Sequence, residues 1–157
     1  MQKKDLVIIA HLRQDARMRL TTMSRRTNLP VSTIYDRMQA QEGSIILKRA
    51  TLVDFGRLGF STRANIFFRV AKEDKEGFVE FLSKHQNVNS LYRVNNGYDY
   101  MAECVFRNIR ELEEFLETAD ERFDVKQNEV YHIIDDIKRE AFLSDPQLIE
   151  TLGIEAD

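Results

Sequence analysis

Apolar residues recur at helical spacing through the first forty positions of the chain. Ile8, Ile9 and Leu12 line one face of a segment over residues 5–14, which Asp5 can cap. Leu20, Met23, Ser24 and Thr27 fall at i, i+3, i+4 and i+7, and Val31, Ile34, Tyr35 and Met38 repeat that spacing. Between these two runs sits Asn28-Leu29-Pro30. Asparagine tolerates the left-handed backbone that ends a helix, and proline is accepted in the first turn of the next one. The pattern therefore predicts three short helices, the second and third joined by a tight turn.

After Gly43 the period changes. SIILKRATLVDF is β-branched and apolar with basic residues inserted, which predicts an extended strand or wing. Gly56 and Gly59 mark the bends of a connector. From Ser61 the order is strand, helix, strand, strand, helix, strand. The strands are expected over 64–70, 88–95, 98–106 and 130–134, and the helices over 75–85 and 109–122. Asn96-Gly97 is a hairpin signal, and Asn108 can cap the last helix. The end, SDPQLIETLGIEAD, predicts a short helix capped by Ser144 or Asp145 and stopped at Gly153, or a frayed tail. Leu148, Ile149 and Leu152 could dock this helix on a neighbour.

This order implies an α+β chain with two parts. Residues 1–50 form an N-terminal three-helix, winged helix-turn-helix domain, and 51–60 a connector. Residues 61–140 form a ferredoxin-like βαββαβ sandwich, and 141–157 a tail or short helix. Both sandwich helices cover one face of the sheet. Strands such as IFF and YHII are apolar on both sides, so the other face is expected to be apolar and to need a partner, most simply a second copy.

Helix, turn, helix is the outline of a DNA-reading unit, although the same spacing suits any two small helices in a core. With Val31, Ile34 and Met38 inward, the 100° step turns Ser32, Thr33, Asp36 and Arg37 outward, with Tyr35 at the margin. Hydroxyls, a carboxylate and a guanidinium can bond base edges or phosphates. Arg17, Arg19, Arg25 and Arg26 flank this unit as phosphate anchors. Lys48 and Arg49 in the wing either touch flanking phosphates or belong to a solvated loop.

Charge sharpens the division. The 157 residues carry a formal net charge of −3, which argues against a generally basic nucleic-acid binder. Residues 1–63 hold 12 Lys+Arg against 5 Asp+Glu, net +7, whereas residues 64–157 hold 11 against 21, net −10. Only the basic front is suited to approach a polyanion. One cysteine, Cys104 within MAECVF, excludes an internal disulfide and reads as a buried thiol in a reducing compartment. No apolar run approaches a membrane span, and residues 6–10 are too short for a secretory signal core, so a cytoplasmic protein with no membrane partner is expected. The three histidines form no ligand motif, and no cofactor, metal or catalytic group is expected.

Taken in order, ARMRLTTMSRRTNLPVSTIYDRM, LVDFGRLGF, NNGYDYMAECV and VKQNEVYHIIDDIK resemble the Lrp/AsnC family of transcription regulators, also called feast/famine regulatory proteins. The first is similar to that family's helix-turn-helix, the second to its connector, the third to its glycine–tyrosine–aspartate hairpin and the fourth to its last strand. The resemblance implies a homodimer joined through the sheet domain, often assembled into octamers. It implies binding of double-stranded DNA at a pseudo-palindromic operator, and sensing of an amino acid or related small molecule between dimers. By position, Gly97, Tyr98 and Asp99 would line the effector site, with Tyr131 and His132 contributing from the last strand. Glycine lets backbone approach a ligand, and Asp99 can hold an ammonium group. Read without the family, the trio is a hairpin turn with an aspartate at a strand end. The chain departs from the family where Arg19 and Pro30 stand for serine caps, and where Val130 stands for a threonine. Two alternatives remain open: a tetrapyrrole enzyme resembling sirohaem decarboxylases, using His85, His132 and Arg93, and a small-molecule sensor whose head binds protein.

Overall fold

A computed structural model describes residues 2–152, with the side chains of 150–152 left out. The chain divides into two compact units. One combines the residues up to Leu52 with those from Ile137 onward, and the other is Val53–Asp136.

The first unit is built on α1 (Lys3–Gln14), α2 (Leu20–Thr27) and α3 (Val31–Gln41). Ile8, Met23, Ile34 and Met38 form its buried core, with Leu12, Leu20 and Leu29 packed at the margin. The helical period selects these positions, but Val31, also expected inward, is exposed in the first turn of α3. Asn28 takes the left-handed conformation at φ 56°, ending α2 as expected. Asp5 does not cap α1. The helix starts two residues earlier, Gln2 is the cap residue, and the Asp5 carboxylate accepts a hydrogen bond from Gln2 N–H at 2.8 Å. Neither Arg19 nor Pro30 supplies a side-chain cap.

The wing does not form. Within residues 44–53 there is no strand, only an isolated bridge between Glu42 and Ile46. An isolated extended run has nothing to pair its backbone groups with, and Leu47 is left 82% exposed. The end of the chain makes a 3₁₀ helix, Pro146–Leu152, and Ile149 is buried against Leu6 and Ala10 of α1. Its apolar docking is thus onto its own chain. The predicted stop at Gly153 and the Leu152 side chain lie outside the described residues.

The second unit holds β1 (Thr62–Val70), α4 (Lys75–Lys84), β2 (Val88–Arg93), β3 (Tyr100–Phe106), α5 (Ile109–Arg122) and β4 (Val125–His132). The sheet order is β2-β3-β1-β4 with every neighbouring pair antiparallel. Alternate β1 residues Ala64, Ile66, Phe68 and Val70 point into a core shared with Phe78 and Leu82 of α4 and Leu112, Phe115 and Ala119 of α5. Asn108 Oδ1 accepts from Glu111 N–H at 3.1 Å, capping α5 as predicted. Asn96 and Gly97 both have positive φ, the backbone that a tight hairpin turn requires. The last strand starts at Val125, five residues earlier than its apolar run suggests. Pairing with β1 extends it through the polar stretch Lys126 to Glu129. Among the described residues, no helix is long and apolar enough to cross a membrane.

Candidate functional site

In the head, the α2–α3 turn is held by side chains. Thr27 Oγ1 donates to Met23 O at 2.8 Å and Ser24 Oγ donates to Leu29 O at 2.6 Å. This fixes the angle at which α3 leaves the turn. Ser32, Tyr35 and Asp36 are exposed on α3 and Thr33 is half-buried. Arg17, Arg19, Arg25 and Arg26 are all exposed, as is Lys48. Two of the predicted DNA contacts carry ion pairs within the head. Arg37 is not a free outward guanidinium but is paired with Asp5 at 2.7 Å. Arg49 is paired with Glu42. Burial alone would raise the Asp5 carboxyl, but the bonds from Arg37 and Gln2 and the guanidinium charge outweigh it and hold it below the usual value.

On the sheet unit, the register decides which predicted effector residues meet. Directly paired residues of antiparallel strands point to the same side. Phe67 is opposite Glu129, and Asn65 opposite Tyr131, so all four share the face away from the helices. Tyr98 joins them: the Phe67 ring meets the Tyr98 and Tyr131 rings edge-on, each at 5.6 Å. Tyr131 Oη donates to Glu129 Oε2 at 2.6 Å, and Gln127 Nε2 donates to Tyr98 Oη at 2.8 Å. Hydrogen bonding to Glu129 pushes the Tyr98 phenol up to about 12, while the Tyr131 and Tyr98 hydroxyls lower the Glu129 carboxyl. A carboxylate set among three aromatic rings suits an ammonium or guanidinium group.

His132 is opposite Ala64, whose side chain enters the helix-side core, so it lies on the other face from Tyr131. The two adjacent residues therefore point to opposite sides of the sheet, as successive strand residues do. Gly97 is exposed at φ 92° with open space around it. The Asp99 carboxylate is already engaged. It accepts from Val70 N–H at 3.0 Å and pairs with the Lys75 ammonium, and these bonds overcome burial to hold its carboxyl below the usual value. The open face is also less apolar than expected. Arg63, Asn65, Arg69, Glu103 and Glu129 alternate with the core residues and interrupt Phe67, Met101 and Tyr92.

A groove of about 620 Å³ lies elsewhere on this unit, lined among others by Phe60, His85, Arg107, Glu111 and Phe115. His85 Nδ1 accepts from Asn87 N–H at 3.2 Å, and its ring meets Phe115 at 4.7 Å. Arg93 ends β2 and His132 ends β4, on opposite edges of the sheet, so the three side chains offered for a tetrapyrrole are not brought together.

Residues 63–141 match the model of the Lrp/AsnC ligand binding domain. An uncharacterised HTH-type transcriptional regulator of Pyrococcus abyssi is 32% identical over 114 residues, covering 71% of this chain and 72% of that protein. The chain belongs to the Lrp/AsnC family. The HTH-type transcriptional regulator FL11 of Pyrococcus horikoshii is 29% identical over 114 residues, 72% of this Lrp/AsnC chain and 76% of the relative. Among solved structures, a Neisseria meningitidis transcriptional regulator in complex with L-Met has a TM-score of 0.82 at 22% identity, covering 88% of this chain and 93% of that one. That likeness establishes the shared fold.

Within this Lrp/AsnC chain, sequence reasoning missed Lys75, Phe67, Gln127 and Glu129. The last three alternate on one face of β1 and β4, a signal available from period 2. It was hidden because the polar start of β4 does not read as a strand. Nothing local announces the Lys75–Asp99 pair, which joins residues 24 positions apart.

Proposed function

We propose that this Lrp/AsnC protein is a sequence-specific DNA-binding transcription regulator that responds to an amino acid or related small molecule. The observation that carries it is the head. A side-chain-locked turn presents Ser32, Tyr35 and Asp36 of α3 to solvent, beside the exposed Arg25 and Arg26 of α2. Short polar groups at one helix's exposed face read base edges, and the flanking arginines set register on phosphates. Arg17, Arg19 and Lys48 extend the cationic surface. The relatives' names as HTH-type transcriptional regulators support a regulator rather than an enzyme.

The effector is received on the sheet unit near Gly97, Tyr98 and Tyr131, where Glu129 offers a negative charge among rings. The L-Met complex of the Neisseria regulator supports an amino acid as the ligand class. The protein acts as a homodimer joined through its sheet units, able to assemble further into octamers, in the cytoplasm.

Electrophoretic shifts with genomic fragments test the DNA reading. With about six phosphates engaged, affinity should fall by roughly 10³-fold between 50 and 200 mM salt. No retardation at any salt concentration would refute it. Repeating the fragment selection with a mixture of amino acids tests for an effector, since an effector changes the recovered set or its affinity.

A further inference from the structure

Arg37 sits in the middle of α3, one residue past the exposed Asp36. Its guanidinium forks onto the start of α1. Nη1 donates to Asp5 Oδ1 at 2.7 Å and Nη2 donates to Gln2 Oε1 at 2.6 Å. Asp5 is only 7% exposed and takes a further bond from Gln2 N–H. One carboxylate thus ties the first turn of α1 to the middle of α3, across 32 positions of sequence.

The apolar contacts of the head define this orientation less sharply. Ile8, Ile34 and Met38 pack α1 against α3 in a dense core, but such contact is non-directional and tolerates alternative packings of the same side chains. A forked charge-assisted bond is directional and resists that roll. Rolling by even half of one 100° residue step would carry Ser32 and Asp36 away from the side they now share. Thr33 lies one turn before Arg37 on the same flank and is likewise half-buried, so this flank faces the protein. Ser32 and Asp36, four residues apart, form the neighbouring strip that faces solvent.

We propose that Arg37 is a positioning residue rather than a DNA contact: with Asp5 it forms a strut that sets the rotation of α3 and so aims Ser32 and Asp36. This rests on the DNA-binding function proposed above. The alternative, that the guanidinium leaves Asp5 to grip a phosphate, predicts the opposite sign for one substitution.

The test uses the full chain, a selected genomic fragment and an unrelated fragment of equal length, each titrated over a range of salt. Asp5→Asn is close to isosteric and still accepts a hydrogen bond, so the head keeps its fold, which circular dichroism checks. Under the strut it weakens binding to the selected fragment by about tenfold, the scale of losing one well-placed base contact. Binding to the unrelated fragment and the salt slope stay as in the wild type. If Arg37 were a phosphate contact, Asp5→Asn would release it, tighten both complexes and leave the slope equal or steeper; that result overturns the strut. Arg37→Gln is the companion. The strut predicts a loss confined to the selected fragment with an unchanged slope, whereas a slope reduced by about one phosphate overturns it. Selected-fragment affinity unmoved by both variants also overturns it. Wild-type protein that binds neither fragment instead overturns the DNA-binding function itself, so the two failures are distinguishable.

Discussion

Replacing Asp99 by alanine should unfasten the hairpin end of the sheet unit. Its carboxylate serves two groups: Val70 N–H at the end of β1, at 3.0 Å, and the Lys75 ammonium in the first turn of α4. Losing a charge-assisted bond to a partly buried backbone N–H costs about 1.5–3 kcal/mol. The Lys75 pair is partly solvated and contributes about 0.5–1 kcal/mol. Together these amount to about 3 kcal/mol, which lowers Tm by roughly 10–20 °C in a domain of this size. Intrinsic tyrosine fluorescence is a suitable probe, because Tyr92, Tyr98, Tyr100 and Tyr131 lie in this unit and only Tyr35 lies in the head. The difference should also depend on pH. The folded carboxyl is held below its unfolded value, so its stabilisation is complete above that value, about 3.9, and is lost as pH falls through the folded one. Wild type and variant should therefore converge in acid. A variant within about 0.5 kcal/mol of wild type at pH 7, the scatter of an ordinary surface substitution, would refute the fastening role.

Asp36 is exposed, and its carboxylate repels phosphate while accepting from a cytosine amino group, so Asp36→Ala should strengthen non-specific DNA binding and relax preference at one base position. Site selection with the variant checks this, and unchanged specificity counts against the role. His11 is buried with Nδ1 unpartnered, and burial, with Arg26 nearby, holds its imidazole below the usual value. Its neutral form favours folding, so head stability should decline as pH falls below about 6.5, and His11→Leu should flatten that decline in circular-dichroism melts. Burial pushes the Cys104 thiol up to about 12, so a disulfide reagent at pH 8 should label the native chain far more slowly than the denatured one. Phe115 is buried against Phe68 and Phe106, and Phe115→Ala should cost about 3–5 kcal/mol in urea unfolding.

The sequence by itself determined the helices, the presence of four sheet strands and most of the face that each one buries. Met23, Ile34 and Met38 in the head, and Ala64, Ile66 and Phe68 in the sheet, occupy the positions their periods select, because burial of a face follows from local spacing alone. Asn28, Asn96 and Gly97 announced their turns through the backbone that they tolerate. The exposed strip of Ser32 and Asp36 was legible for the same reason, as the complement of a buried stripe. What only the tertiary structure decided was who pairs with whom. Arg37 points outward by its period, yet it meets Asp5 across the head. Asp99 looked like a free acceptor, yet Lys75 and Val70 take it. Tyr131 and His132 are neighbours in the chain but fall on opposite faces, once pairing with β1 carries the last strand back to Val125. The wing failed where no strand came alongside to receive its backbone bonds. Periodicity is a property of a single element, whereas charge pairs and strand register depend on a second element brought close by folding, and nothing local in the chain encodes that meeting.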